Sequence, residues 1–251
     1  MKSRVLVMVI LLAGSAFAQL DEPRTGRIES IPNPSAELEG NFSSRIYASG
    51  TLVSASNLAI PARARKEFDK ANQLLRKQEW SRALQKLNKA VSIDPAFVGA
   101  YNNLGVVYAG LGDPVREREA LQKAIDLDDH FVLAYVNLGR MDIARADFPA
   151  AEAALDKASN LDATDPTALV LLAYAELMQG HLQQTVATSQ KAHALGEPHA
   201  FAHRLAARAL EQEGQVDRAI TELTRSLQEE PSGTRADSAR KELAIMQSIP
   251  R

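Results

Sequence analysis

The sequence repeats itself every thirty-four residues. Five windows share one register without a gap: 64–97, 98–131, 132–165, 166–199 and 200–233. The eighth position holds Ala71, Gly105, Gly139, Ala173 and Ala207; the twenty-seventh holds Ala90, Ala124, Ala158, Ala192 and Ser226. The twenty-fourth holds Leu87, Leu121, Leu155, Ser189 and Leu223. Small residues recur where helix backbones approach closely, and leucine recurs where a pocket needs filling. A unit this short cannot bury its own apolar face, so neighbours must stack to make a continuous core.

Each window reads as two helices and a turn. In the first, Pro61 suits the opening turn of a helix, and Phe68, Ala71 and Leu75 fall at helical spacing. That helix is expected to end near Gln78, and Trp80 begins a second whose apolar stripe is Ala83, Leu87, Ala90 and Val91. Asp94-Pro95 closes the unit, because the residue before proline is driven out of helical geometry. Later turns are expected at Gly112-Asp113-Pro114, at Ala146-Asp147, at Gly180 and at Gly214, with Asp113 and Asp147 as helix caps. Leu138 is expected in the inter-helix core. A last helix over 234–249 carries Ala236, Ala239, Leu243 and Met246 on one stripe, which suits a cap on the open end of a stack.

The pattern resembles the tetratricopeptide-repeat family. Tyr101, Leu104, Gly105, Tyr108, Leu121 and Ala124 match its motif, as do Tyr135, Leu138, Gly139, Ala151, Leu155 and Ala158. Ala83, Leu87, Ala90, Pro95, Ala219, Leu223 and Pro231 add to it. Glu117, Asp142, Glu176, Thr185 and Ser189 depart from it, because small or large apolar groups are usual at those places. The resemblance implies an all-α fold: an α-solenoid, wound as a right-handed superhelix, of about five helix-turn-helix repeats with a C-terminal capping helix. It also implies a scaffold rather than an enzyme.

The ends differ from the repeats. Lys2 and Arg4 precede an apolar run from Val5 to Ala13, and Ala16-Phe17-Ala18 offers small residues for a peptidase. Residues 1–18 are therefore expected to be a signal peptide cleaved before Gln19, and the protein to be periplasmic or secreted. The run to Ala18 is short of the roughly 20 residues that span a bilayer, so no membrane span is expected after cleavage. Residues 19–60 read as a flexible leader rich in Pro, Gly and Ser, with a possible extended segment at 51–56 and a glycosylation sequon at Asn41-Phe42-Ser43. With 29 basic and 31 acidic residues the formal charge is −2, and removing Lys2 and Arg4 makes it −4. No basic patch of nucleic-acid type is present. The absence of cysteine excludes disulfides, thiol catalysis and thiolate metal sites.

No catalytic grouping is legible. Five histidines are present, and His199 and His203 have the four-residue spacing of helical metal ligands. No carboxylate joins them in a motif, so no metal and no cofactor are expected. The glycines sit at turns and packing positions, not in a phosphate-binding loop.

The informative surface is a stripe on the first helix of each repeat. Core residues take positions four, seven, eight and eleven. Positions two, five, nine and twelve form an adjoining stripe, which in the tetratricopeptide-repeat family lines the concave groove. The third repeat places Leu133, Val136, Arg140 and Ile143 there; the fourth adds Val170, Tyr174 and Leu177; the fifth adds Phe201, Arg204 and Arg208. The groove is therefore expected to have an apolar middle and a basic end, and to bind a protein or peptide. Asn72 and Asn103 stand where some family members clamp a terminal carboxylate, but Phe68, Leu133 and Asn137 replace the basic groups of that clamp. The alternative role is a structural subunit of a cell-envelope secretion, pilus or outer-membrane assembly, acting through its convex face and tail.

Overall fold

The computed structural model describes residues 60–196 and 200–248. They form eleven helices and belong to one unit spanning Pro32–Arg251. In chain order these are α1 (Ala62–Arg76), α2 (Trp80–Ile93), α3 (Val98–Leu111), α4 (Pro114–Leu127), α5 (Val132–Ala144) and α6 (Phe148–Leu161). The chain continues through α7 (Pro166–Met178), α8 (Leu182–Ala194), α9 (Ala200–Gln212), α10 (Val216–Glu229) and α11 (Thr234–Ser248). Each helix packs on the next in sequence, and first helices of successive repeats also touch, α5 against α3 and α7. This is a helical solenoid. The expected signal peptide, leader, extended segment and sequon lie outside the described residues.

Turn chemistry explains the regular alternation. One or two residues past each first helix the backbone is left-handed: Gln78, Gly112, Ala146, Gly180 and Gly214 have φ of 56°, 70°, 58°, 77° and 74°. Around each, two backbone bonds close the helix end. At Ala146, for example, Asp147 N–H donates to the Asp142 carbonyl and Ala146 N–H to that of Ile143, both at 2.9 Å. This paired closure satisfies carbonyls that the helix itself leaves open. Glycine adopts the conformation freely, whereas Gln78 and Ala146 carry a Cβ in a region that costs roughly 1–2 kcal/mol. Two of the second helices start on the expected capping side chains: Asp113 accepts from Arg116 N–H at 3.1 Å and Asp147 from Ala150 N–H at 3.3 Å.

The core follows the repeat. Leu87, Leu121, Leu155 and Leu223 are fully buried, each contributing about 1.5–3 kcal/mol by burial. The helices of a repeat approach so closely at Gly105 and Gly139 that a Cβ there would fall 2.6 and 2.4 Å from Leu121 and Leu155 carbons. Leu138 differs from expectation. It is only half-buried, while Leu104 at the same position of the preceding repeat is buried.

Three of the five departures from the repeat motif, Asp142, Glu176 and Thr185, find polar partners, whereas Ser189 Oγ is buried without one. Asp142 is buried on α5 and pairs with Arg118 from α4. Glu176 is buried on α7 and accepts from Thr188 Oγ1 at 3.0 Å. Thr185 donates to the His181 carbonyl at 3.0 Å. Such bonds offset the cost of burying a polar group, which is about 1–3 kcal/mol when it is left unbonded.

Candidate partner-binding face

The central element of the stripe is α7, PTALVLLAYAELM. Ten of its thirteen residues are buried. A helix that is apolar all round belongs inside a protein rather than on one of its faces. The first helices on either side, α5 and α9, pack against it, and α6 and α8 lie beside it.

This packing corrects the idea that the groove stripe stands apart from the core. Val136, Ile143, Val170, Tyr174 and Leu177 all belong to one buried cluster with Leu155, Leu171 and Leu210. Val170 and Tyr174 keep only 2% and 3% of their surface. The Tyr174 ring meets Phe148 edge-on, with centroids 6.2 Å apart. The physical reason is contact with helices of neighbouring repeats, α6 with Phe148 among them, which consumes positions that helical periodicity within one repeat leaves outside.

Leu133, Arg140, Phe201, Arg204 and Arg208 are half-buried and bound the face. The Arg204 guanidinium lies 5.3 Å from the centroid of the Phe201 ring. Arg208 Nη1 donates to Glu211 Oε2 at 2.9 Å. Glu242, reaching from α11, has its carboxyl raised by burial, and Arg204 and Arg208 are close enough to oppose that shift. The basic end is therefore partly neutralised from within.

Sequence reasoning named Asn72, Asn103 and Asn137 only against a carboxylate clamp and did not join them to one another. Asn103 Nδ2 donates to Asn72 Oδ1 at 2.7 Å, and Asn102 Nδ2 donates to Asn103 Oδ1 at 3.1 Å. Asn137 Nδ2 then donates to Asn102 Oδ1 at 2.8 Å, and Arg140 Nη1 approaches Asn137 Oδ1 at 3.5 Å. Four amides thus form one hydrogen-bonded ladder across α1, α3 and α5. Asn102 and Asn137 are buried supports, while Asn72 and Asn103 are half-buried and reach the surface. Asn72 and Asn103 lie thirty-one residues apart and Asn102 and Asn137 thirty-five, three short of and one beyond the repeat, so the register alone does not pair them.

His199, and with it the expected His199–His203 spacing, lies outside the described residues. His203 bonds to Glu222, with Nδ1 2.7 Å from Oε2.

Two family profiles match the chain: "TPR repeat" over residues 71–112 and "Tetratricopeptide repeat" over residues 98–131, the second coinciding with one window of the register. No curated protein matches it. Among solved structures, MamA is 24% identical with a TM-score of 0.59, over 64% of this chain and 94% of that one. YrrB, described as a TPR protein with an unusual peptide-binding site, is 21% identical with a TM-score of 0.59, over 70% and 90%. PilF of Pseudomonas aeruginosa is 20% identical with a TM-score of 0.64, over 73% and 88%. At these identities the likeness establishes the fold.

Proposed function

We propose, from the premise that this chain is a tetratricopeptide-repeat protein, that it is an exported, non-enzymatic scaffold holding an extended protein segment along its first-helix face. The observation that carries the reading is the amide ladder from Asn72 to Asn137. An asparagine side chain has two N–H donors and an acceptor oxygen. The ladder uses one donor of Asn103 and none of Asn72, so the two half-buried members keep hydrogen-bonding capacity for a peptide backbone. The neighbouring amides fix their orientation, which lowers the ordering cost of binding.

In this reading the ten stripe residues divide by depth. Leu133 and Phe201 offer apolar contact, and Arg140, Arg204 and Arg208 set polarity. Val136, Ile143, Val170, Tyr174 and Leu177 form the rigid floor beneath. Because Glu211 and Glu242 offset the arginines, the favoured segment is neutral or mildly acidic rather than strongly acidic. Export rests on the signal-like residues 1–18. N-terminal sequencing of the fractionated protein should find Gln19 first, and retention of Met1 in a membrane fraction would overturn that part.

The structural-subunit reading has one observation in its favour. Val115 is 66% exposed at the start of α4, near the exposed Leu111, and a shallow surface pocket there includes Pro114, Arg118 and Gln122. Photo-cross-linking groups placed at Asn103 and at Val115 discriminate the two. Adducts from Asn103 support the groove scaffold, and adducts confined to Val115 support the assembly subunit.

A further inference from the structure

Three ligating side chains from three helices converge where the last two repeats meet. His193 stands in the final turn of α8, His203 in the first turn of α9 and Glu229 at the end of α10. His203 Nε2 lies 3.2 Å from His193 Nδ1 and 3.4 Å from Glu229 Oε1. His193 Nδ1 lies 3.6 Å from the same oxygen. Donors bound tetrahedrally to zinc at about 2.0–2.1 Å stand about 3.4 Å from one another. The triangle thus has the dimensions that such an ion imposes.

The surroundings suit a ligand set. Glu222 accepts from His203 Nδ1–H, which in the neutral ring leaves the Nε2 lone pair facing His193 and Glu229. Arg225 Nη1 donates to the other Glu222 oxygen at 2.9 Å and holds that carboxylate in place. A carboxylate behind a histidine is the usual outer partner that fixes tautomer and ring orientation in metal sites. His203 is 4% exposed, so its ring is fixed by packing as well. Glu229 Oε2 is buried with no hydrogen-bond partner, so the chain itself does not saturate this carboxylate. His193 is exposed, which gives an ion access from solvent.

We propose that His193, His203 and Glu229 bind a divalent metal of the zinc type, with Glu222 as the outer carboxylate. Two imidazole nitrogens and one carboxylate oxygen are donors that zinc accepts, and three protein ligands leave a fourth position for water or an incoming group. The ion cross-links α8, α9 and α10 and so fixes the junction between the fourth and fifth repeats. The expectation of no metal arose because the sequence pairs His203 with His199. The histidine that meets His203 is His193, ten residues earlier on another helix, and no local motif announces it. A second trio, Asp128, Asp129 and His130, is confined to one turn and has two exposed members. It serves as the control.

The test is titration of the untagged, chelator-stripped full chain with Zn²⁺, read by calorimetry and thermal melting. The expected result is one ion per chain and a raised melting temperature. His193→Ala and Glu229→Gln should each weaken binding at least tenfold, and Glu222→Gln about ten- to a hundredfold. His130→Ala should change nothing. His193 is exposed, so His193→Ala keeps the test valid if the buried variants fail to fold. Failure of the folded wild-type chain to bind Zn²⁺ overturns the proposal and leaves a proton-bridged His203 between Glu222 and Glu229. Binding that survives both His193→Ala and Glu229→Gln overturns it as well.

Discussion

Gly139→Ala sets two well-characterised effects against each other. In an exposed helix the change is favourable by about 1 kcal/mol, because alanine has the higher helix propensity. At this site a Cβ would fall 2.4 Å from Leu155 Cγ and 2.9 and 3.0 Å from its two methyl carbons. Relaxed carbon contacts lie at about 3.5–4.0 Å, so α5 and α6 must separate by roughly 1 Å or Leu155 must leave its rotamer. Leu155 is fully buried and has nowhere to go. Overpacking of this kind costs about 1–3 kcal/mol, and with a steric conflict this close the upper part of that range applies. The expected net loss is about 1–2 kcal/mol, a fall of roughly 2–8 °C in melting temperature for a domain of this size. Leu155→Ala alone should cost about 2–5 kcal/mol. In that background Gly139→Ala should become neutral or stabilising, because the added methyl enters the cavity, giving a coupling of about 1–3 kcal/mol. Thermal and urea unfolding followed by circular dichroism measure all four corners of the cycle. A rise in stability for Gly139→Ala in the wild-type background would refute the reasoning.

Three further outcomes follow from single residues. Ala146→Gly should stabilise by about 1 kcal/mol, since Ala146 sits at φ 58°; a lower melting temperature would contradict it. Tyr174→Ala should cost about 3–5 kcal/mol of stability, because the ring is buried against Phe148; unchanged melting would return Tyr174 to the surface. Glu176→Gln should stabilise at pH 8 by on the order of 2–3 kcal/mol and do little at pH 4. Burial pushes the Glu176 carboxyl up to about 7, the Glu152 carboxylate adds to the rise, and Thr188, His181 and Lys191 oppose it. Between about pH 4.3 and 7 the folded chain holds a proton that the unfolded chain lacks, so wild-type stability falls as pH rises through that window. A pH-independent difference between Glu176→Gln and wild type would count against this assignment.

The fold was legible because a solenoid repeats its signals. Leu87, Leu121 and Leu155 recur at the same position of successive windows, and Asp113 and Asp147 cap the helices assigned to them. The face was harder to read. Helical periodicity within one repeat places Val170 and Tyr174 outside the repeat's own core, but it says nothing about contact with helices of the neighbouring repeats, such as Phe148 on α6. Leu138 errs the other way: it matches the motif and yet is only partly buried. The asparagine ladder joins side chains thirty-one and thirty-five residues apart, so only the stacked geometry reveals that Asn72, Asn103, Asn102 and Asn137 touch. The same holds for His193, His203 and Glu229, whose spacing follows no local pattern.

The central claim is that the ladder face holds a protein segment. Its most direct test is the affinity of the segment recovered by cross-linking at Asn103, measured against wild-type protein, Asn72→Ala with Asn103→Ala, and Val115→Asp. Loss of two hydrogen bonds of about 0.5–1.5 kcal/mol each predicts roughly a five- to hundredfold weaker Kd for the asparagine variant, and no change for Val115→Asp. Equal affinity for wild type and the asparagine variant, with a loss at Val115→Asp, would contradict the account.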